Sequence, residues 1–229
     1  MGRQPLSCPF FFAVGLRPGP DEPEAELRAL ADYYDTIHLA EVVRLNEGFV
    51  SASRYELTDP LDDETVPSWL AVYGIESEDA AHRFLDRQGD KRPVYANGPS
   101  LFYNAPVVWR MVWRSAGSTG VSDLLPGKMA MIGMDPAADA TEAEIAEFDE
   151  FYTGTHLPEI VSGLGYDRGT RFLLWHEFKH PDPGCPRYNA VYEAEDPNPR
   201  PPHVPPLTPG PRAFEERQVR WRVKYRRVT

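Results

Sequence analysis

The chain contains an internal duplication, which constrains its fold more than any other feature of the sequence. Residues 34–43 read YDTIHLAEVV and residues 152–161 read YTGTHLPEIV, so a Tyr and a His recur four positions apart. Later segments match in the same order: 48–57 with 165–174, 70–73 with 189–192, and 109–114 with 221–226. The repeated unit is roughly 110–120 residues long. We therefore predict two repeats, residues 1–116 and residues 117–229.

The composition is that of an acidic globular protein and argues against a nucleic-acid binder. Hydrophobic residues make up 41% of the 229 residues, which is enough to build a core. The formal net charge of −11 would repel phosphate backbones, so we expect no nucleic-acid partner and a neutral or cationic small molecule instead. Two isolated cysteines, Cys8 and Cys185, form neither a disulfide framework nor a metal-ligand pattern, which favours a cytoplasmic location. The apolar residues 8–16 are too few to span a bilayer, so no membrane association is predicted.

The first repeat has the predicted order β-α-β-β-α-β. Its strands are expected at 10–16, 49–57, 69–75 and within 100–114. One helix is expected to follow residues 18–24 and to end near Leu45, and a second to cover about 78–88. Tyr34 and His38 continue the helical apolar spacing that begins at Leu27, so they should share one buried face.

The second repeat follows a Gly/Ser-containing linker, predicted at 115–127, and differs from the first in one element. Its strands are expected at 128–134, 166–175, 188–194 and 217–228. Thr141 and Glu144 have the spacing of a capping box at the start of a helix. The Pro-rich insert 196–212 takes the place of the second helix, because proline lacks an amide donor and clashes with the preceding turn. The second repeat is therefore expected to lack that helix.

A β-α-β-β-α-β unit is the ferredoxin-like arrangement, in which helices cover one face of the sheet and the other face stays bare. Two such units can bury their bare faces against each other. The predicted fold class is therefore α+β, with two tandem ferredoxin-like repeats that form a pseudo-dimeric, eight-stranded α/β barrel with helices outside. The sequence is also compatible with a homodimer of this fused pseudo-dimer.

The order of motifs resembles one branch of a known superfamily. Each copy carries Tyr-x3-His-Leu-x-Glu, then Gly-aromatic, Arg-aromatic and an Ala-Val-Tyr strand. This series is similar to that of the EthD-like branch of the dimeric α/β-barrel superfamily, and the resemblance implies the barrel fold over most of both halves. It leaves the reaction open, because the superfamily includes cofactor-free monooxygenases, polyketide cyclases, lactone isomerases, dehydratases and haem-using members. Ile37 and Thr155 stand where the pattern has Glu, so no role for that acid is carried over.

The predicted catalytic residues are His38 and His156, which each follow a Tyr by one helical turn. An imidazole with a pKa near neutrality can take a proton from a substrate carbon or hydroxyl and return it elsewhere. Tyr34 and Tyr152 could orient the imidazole or donate to a developing enolate oxygen. In the second repeat, Pro158 is expected to end or kink the helix just after His156. The backbone carbonyls freed in this way would favour the imidazolium. The alternative is a structural role, with each His hydrogen-bonded to a Tyr or to a backbone carbonyl.

Five further residues occupy positions that could contact a substrate: Arg54, Arg171, Trp109, Trp113 and Trp221. Either arginine could hold a carboxylate or phenolate in a bidentate manner, although the alternation along its strand favours pairing with acids. The tryptophans could line a pocket for a flat ring, although core packing explains them as well. Arg110 lies on the face of its strand opposite the tryptophans, where we expect a salt-bridged seam.

No metal or cofactor site is predicted. Residues 176–180, HEFKH, match the zinc-protease pattern, but that site needs both imidazoles on one face of a helix. Here the motif directly follows a strand, and Pro181 disfavours helical backbone at His180. The sequence contains no Gly-rich phosphate loop, dinucleotide fingerprint or nucleophile elbow.

The sequence thus favours a cofactor-free enzyme that performs His-mediated proton transfer on a small aromatic or polyketide-like substrate, as in a cyclisation, dehydration or isomerisation. The first alternative is a cofactor-independent monooxygenase that acts on a phenol. The second is a non-catalytic ligand- or haem-binding protein, in which one His would be an axial ligand.

Overall fold

The computed structural model describes residues 4–58, 63–89, 93–121, 126–195 and 205–229. These residues form two units. The first takes its residues from Met1–Trp113, Trp175–Gly184 and Arg227–Thr229, and the second from Arg114–Leu174 and Cys185–Arg226. None of the described helices combines the length and the apolar character that a bilayer-spanning segment requires.

The first repeat follows the predicted order of elements. After a short 3-10 turn at Pro5–Ser7, the elements are β1 (Phe10–Leu16), α1 (Glu24–Tyr33), α2 (Leu39–Leu45), β2 (Phe49–Leu57), β3 (Trp69–Ile75), α3 (Glu78–Asp86), α4 (Ser100–Asn104) and β4 (Val107–Gly120). A π-helical turn, Tyr34–His38, joins α1 to α2 within one continuous helix. The bounds of β1, β2 and β3 are those that the sequence predicts.

Strand β4 is longer than predicted, because it continues to Gly120. The linker expected at 115–127 is therefore wrong over residues 115–120, and its residues 122–125 lie outside the described part of the chain. The Gly and Ser residues of this segment suggested a loop. In the structure, Gly117 and Gly120 instead allow neighbouring residues to pack closely against β4. A β-carbon on Gly117 would lie 2.6 Å from the Thr153 side chain, and one on Gly120 would lie 2.1 Å from the Asp167 carbonyl oxygen.

The second repeat contains β5 (Lys128–Asp135), α5 (Glu142–Phe151), α6 (Leu157–Leu164), β6 (Arg168–Lys179), β7 (Tyr188–Ala194), α7 (Arg212–Glu215) and β8 (Gln218–Arg227). A second π-helical turn, Tyr152–His156, joins α5 to α6. The capping box is confirmed, since Thr141 Oγ1 accepts from the Glu144 amide and the Glu144 carboxylate accepts from the Thr141 amide. Residues 196–204 of the predicted Pro-rich insert lie outside the described residues. Residues 205–211 form no helix or strand, and α7 begins at Arg212, the last residue of the insert.

The strand pairing repeats between the two halves. Strand β3 pairs antiparallel with both β1 and β2, and β7 pairs antiparallel with both β5 and β6. The full hydrogen-bonded order is β1-β3-β2-β8-β5-β7-β6-β4, which closes into a barrel. The predicted α+β fold, an eight-stranded barrel built from two ferredoxin-like repeats, is confirmed.

Residues of β1 alternate between two faces of the sheet in the first unit. Phe10 and Phe12 pack in the core beneath the helices, together with Leu30 of α1. Phe11 points to the opposite face and stacks on Trp113, with ring centroids 6.4 Å apart. Burial of each such side chain contributes about 1.5–3 kcal/mol. The helix-facing side of this sheet also holds the candidate site.

Candidate functional site

Each Tyr–His pair lies on a π-helical turn, in which a backbone amide donates to the carbonyl five residues earlier. The Leu39 amide donates to the Tyr34 carbonyl, and the Leu157 amide donates to the Tyr152 carbonyl. The ring centroids of Tyr34 and His38 are 4.9 Å apart with planes at 71°, and those of the second pair are 4.9 Å apart at 74°. The duplicated sequence motif is thus a duplicated geometry.

Both imidazoles are buried and neutral. His38 is 7% exposed and His156 is 8% exposed. Burial, which disfavours the charged form, lowers the pKa of each to about 4. The Nδ1 atom of each ring is buried without a hydrogen-bond partner among the described residues. The hydrogen bonds expected for a purely structural His are therefore missing at that atom.

The expected effect of Pro158 is wrong. Pro158 lies in the first turn of α6, where a missing amide donor is tolerated, and the helix continues to Leu164. After burial, the nearby Arg217 guanidinium is the next largest cause that lowers the pKa of His156.

A phenylalanine that the sequence analysis missed packs against each imidazole. The ring of Phe102 on α4 lies 4.8 Å from His38, and Phe214 on α7 lies 4.7 Å from His156. Both phenylalanines end the same short motif, Gly-Pro-x-x-Phe, at residues 98–102 and 210–214. This recurrence is the sequence signal that could have identified both phenylalanines. It lies just before the matched segments 109–114 and 221–226.

The Glu of each Tyr-x3-His-x2-Glu motif holds the segment that leads into this Phe. We call residues 93–102 the first strap and residues 205–214 the second strap. Glu41 Oε2 accepts a hydrogen bond from the Ala96 amide at 2.8 Å. Glu159 accepts one from the Thr208 amide at 3.2 Å. Each strap is therefore anchored to the helix that carries the imidazole, two residues before its Gly.

The two strand arginines brace the π turns. Arg54 donates to both carboxylate oxygens of Asp35 at 2.7 Å. Arg171 pairs with Asp149 and donates to Thr153 Oγ1 at 3.2 Å. Asp35 and Thr153 each directly follow the Tyr of their motif. The pairing with acids that strand alternation favoured is what the structure shows, and Arg54 does not line the cavity beside His38.

The three tryptophans are buried. Trp109 and Trp113 lie on the face of β4 away from the helices. Trp113 stacks on Phe11, and Trp109 stacks on His180 with centroids 5.7 Å apart and planes at 19°. Trp221 is 7% exposed in the second unit. Trp109 and Trp113 are not among the residues that line the cavity beside His38.

A cavity of about 410 Å³ lies beside His38 in the first unit. Its volume is within the range of roughly 300–1,000 Å³ that small-molecule sites have. Its wall is rich in aromatic rings, which come from Phe12, Tyr34, Tyr73, Phe84, Tyr95, Phe102 and Phe178. Burial raises the pKa of the Tyr34 phenol above its ordinary value, so this hydroxyl stays a proton donor.

Besides His38 and the three tyrosines, the polar residues of the cavity wall are Asn46, Gln88, Arg110 and Lys179. Arg110, which we expected in a salt-bridged seam, also borders this cavity. The alternation of side chains along β4 correctly predicts that Arg110 and the tryptophans lie on opposite faces of the strand. The face that carries Arg110 is the one that borders the cavity.

The His-Glu-x-x-His motif is extended. Residues 176–179 belong to β6, which continues four residues beyond its predicted end at 175. The helical context of a zinc protease is therefore missing here, as predicted. Within the described ranges, no group of three or more His, Cys, Asp and Glu side chains could hold a metal ion.

Comparison with known proteins shows similarity at the level of the fold. Neither a protein-family model nor a curated protein sequence matches the chain. The solved structure of a chlorite dismutase-like protein superimposes with a TM-score of 0.53 at 12% identity, covering 96% of this chain and 94% of its own. An anthrone oxidase-like protein superimposes with a TM-score of 0.51 at 11% identity, covering 96% and 92%. At these identities the two similarities show the fold alone, and that fold agrees with the predicted barrel.

Proposed function

We propose that this protein is a cofactor-free small-molecule enzyme in which His38 moves a proton on a flat, aromatic or polyketide-like substrate. The observation that carries the proposal is the neutral, buried imidazole of His38 in the wall of an aromatic cavity of about 410 Å³. The reaction class is cyclisation, dehydration or isomerisation. We also propose that the chain belongs with the EthD-like branch, and the motif series supports this assignment.

The chemistry follows from the two side chains at the end of the cavity. Neutral His38 accepts a proton from a carbon or hydroxyl next to a substrate carbonyl. The Tyr34 phenol donates a hydrogen bond to the enolate oxygen that then forms. In an isomerisation, the imidazolium returns the proton to another carbon of the same molecule. In a dehydration, the proton goes to the departing hydroxyl, which leaves as water.

Burial sets the low pKa of His38, and this pKa rises when a bound substrate becomes anionic. Proton transfer produces an imidazolium beside an enolate, and an opposite charge within a few ångströms raises the pKa of a buried imidazole. The pair attracts strongly because little water reaches it. Burial thus keeps the free base unprotonated at pH 7, and the reaction itself supplies the counter-charge.

The second unit repeats the pair, and we propose His156 as the equivalent residue there. Its Tyr152 hydroxyl lies 3.3 Å from the hydroxyl of Tyr192. Burial raises the pKa of Tyr152 as well. The two halves therefore have matched groups, but Tyr152 is already engaged with a neighbouring phenol.

The test is deuterium exchange at acidic C–H positions of polyketide-like probes, with anthrone as one of them, followed by NMR in D₂O. His38→Gln should slow the protein-dependent exchange by about 10²–10⁴-fold, which is the usual contribution of a general base. His82→Gln is the matched control, because the His82 side chain is 57% exposed. Exchange that is unchanged in both His38→Gln and His156→Gln would contradict the acid–base assignment.

A cofactor-independent monooxygenase is the second candidate, supported by the fold similarity to an anthrone oxidase-like protein. The same base would deprotonate a phenol, which then reacts with oxygen. Oxygen consumption with anthrone or a phenol distinguishes this reaction from exchange without oxidation. A haem- or ligand-binding role is tested by the absorbance of the purified protein near the haem band, and a homodimer by its mass in solution.

A further inference from the structure

We infer that the cavity beside His38 selects a substrate whose ring carries a hydroxyl group, and that Asn46 accepts a hydrogen bond from this hydroxyl. The inference rests on the proposed function and deepens it, because it names the substrate class of the same cavity. The ligand is an uncharged, hydroxylated ring system that also carries the carbonyl oxygen on which the proposed proton transfer depends.

Asn46 is held firmly at the end of α2. The residue is 3% exposed and belongs to the wall of the cavity. Its backbone amide donates to the Val42 carbonyl at 3.2 Å, and its backbone carbonyl accepts from the Phe49 amide at 3.0 Å. Because both backbone groups are engaged, the side chain starts from a fixed position.

The side-chain amide of Asn46 has a fixed orientation as well. Its Nδ2 donates to the Val42 carbonyl at 2.8 Å and to the Tyr95 hydroxyl at 3.3 Å. A backbone carbonyl can only accept, so the atom that faces Val42 is the nitrogen and not the oxygen. Oδ1 makes no hydrogen bond to any described residue. The amide oxygen is therefore an oriented acceptor in the cavity wall.

Gln88, the second amide in the described part of this wall, is engaged at both ends. Its Oε1 accepts from Arg110 Nη2 at 2.7 Å, and its Nε2 donates to the Phe84 carbonyl at 2.8 Å. Asn46 is thus the amide whose acceptor remains for a ligand. Buried acceptors are normally paired, and a ligand hydroxyl is the partner that suits an amide oxygen.

The hydroxyls of Tyr34 and Tyr73 supply the complementary donors. Both side chains line the cavity, and burial raises the pKa of each phenol above its ordinary value, so each stays protonated. Their counterparts in the second unit, Tyr152 and Tyr192, have hydroxyls 3.3 Å apart. No such hydrogen bond joins Tyr34 to Tyr73 within the described ranges. Both phenols can therefore donate to one carbonyl or enolate oxygen of the substrate.

The second repeat has an apolar residue where the first has Asn46. Counting from the Val that ends each duplicated motif, Val43 and Val161, Asn46 corresponds to Leu164. Leu164 is the last residue of α6, and Asn46 directly follows α2. A leucine side chain accepts no hydrogen bond, so this selection does not extend to the matching position of the second unit. The correspondence also shows that leucine is compatible with this end of the helix.

The experiment compares 2-naphthol, which is uncharged at pH 7, with 2-methylnaphthalene, in which a methyl group replaces the hydroxyl. Fluorescence titration of the whole protein gives the two dissociation constants, and their ratio is compared between variants. Asn46→Leu should shift this ratio about three- to tenfold in favour of the methyl probe, the range expected for the loss of one neutral hydrogen bond. Asn104→Leu makes the same change at an exposed asparagine and should keep the wild-type ratio.

Two results would overturn the inference: a ratio that stays at the wild-type value in Asn46→Leu, or an equal shift in Asn104→Leu. If Asn46→Leu does not fold, Asn46→Ala replaces it, because it also removes Oδ1 and should shift the ratio in the same direction. An unchanged ratio in that variant counts against the inference in the same way.

Binding is measured without turnover, which separates this inference from the proposed reaction. His38→Gln removes the proposed base but keeps the acceptor, so it should retain the wild-type ratio. If the deuterium exchange assay fails while Asn46→Leu still shifts the ratio, the proposed reaction is overturned and the selection for a hydroxyl is supported.

Discussion

Gly98 lies beneath Phe102 so closely that a β-carbon on Gly98 would stand 2.9 Å from atoms of the phenylalanine side chain. Gly210 and Phe214 repeat this relationship, with a corresponding distance of 2.4 Å. Both phenylalanines contact the imidazole of their unit. The missing side chain at each glycine is therefore what allows the ring to close over the His.

Gly98→Ala should displace the Phe102 ring and expose His38 to water. We expect the pKa of His38 to rise from about 4 towards the ordinary value near 6.5. The free energy of unfolding should fall by about 1–3 kcal/mol, as for other overpacked sites. NMR titration of the imidazole resonances measures the first effect, and urea denaturation the second.

The duplication provides matched variants for that experiment. Gly210→Ala should shift the pKa of His156 and leave that of His38 in place. Gly19→Ala is a neutral control, because its new β-carbon would meet only Glu22, at an ordinary 3.7 Å. Unchanged titration of both imidazoles in the two variants would show that the phenylalanines do not shield them.

Glu41→Ala should loosen the first strap. The variant removes the carboxylate that accepts from the Ala96 amide, a bond worth about 1.4 kcal/mol or tenfold in local opening. Amide hydrogen exchange in residues 93–102 should accelerate by that factor. Glu47→Ala serves as the control, since its side chain is 78% exposed. Exchange rates that stay the same in Glu41→Ala would mean that other contacts hold the strap.

Arg54→Gln should destabilise the protein far more than a surface arginine variant. The Arg54 side chain is 4% exposed, and its loss removes the guanidinium that pairs with the carboxylates of Asp35 and Glu56. Because those acids are about one quarter exposed, we expect a loss of about 2–4 kcal/mol, somewhat below the cost of breaking a fully buried pair. Arg28→Gln breaks an exposed pair and should cost less than about 1 kcal/mol. Equal urea midpoints for the two variants would refute this difference.

Stability should fall as the pH is lowered from about 6.5 to about 4. Both imidazoles have a folded-state pKa of about 4, whereas the unfolded value is near 6.5. In this window the unfolded state binds more protons, so acid favours unfolding, by on the order of 3 kcal/mol for each imidazole. Above pH 6.5 the contribution is fully present.

Urea midpoints at pH 7, 6, 5 and 4 measure this dependence. The double variant His38→Gln/His156→Gln should show a shallower fall than wild type. Exposed His82 gives the control substitution, His82→Gln, which should follow the wild-type curve. Parallel curves for wild type and the double variant would show that these two imidazoles do not drive the acid sensitivity.

The spacing of apolar residues along the sequence predicted the regular elements of the fold, because burial of one face of a helix or strand imposes that spacing. Strands β1, β2, β3 and β7 have the predicted bounds, since each has apolar residues between clear turn residues. The π turns were not predicted, because the four-residue spacing of the Tyr and the His fits an α-helical turn as well as a π-helical one. The end of β4 was not predicted, because Gly117 and Gly120 are typical of a linker. In the structure these glycines leave room for the Thr153 side chain and the Asp167 backbone.

The sequence predicted the paired His and Tyr residues but not the wall around them. Alternation separates Arg110 from Trp109, yet it does not tell which face of a strand borders a cavity. Phe102 reaches His38 from a distant part of the chain, through the strap that Glu41 anchors. Contacts of this kind depend on tertiary packing and have no local pattern, apart from the recurrence of Gly-Pro-x-x-Phe.

The π turns also bear on the history of the chain. Each residue of an α-helix advances about 100° around the axis. One surplus residue therefore rotates the side chains that follow it relative to those that precede it. Both halves carry the surplus between the same Tyr and His. A single insertion in the ancestral gene, before it doubled, accounts for both. Deleting one residue between the Tyr and the His of either copy should rotate the imidazole by about 100° relative to the Tyr that precedes it.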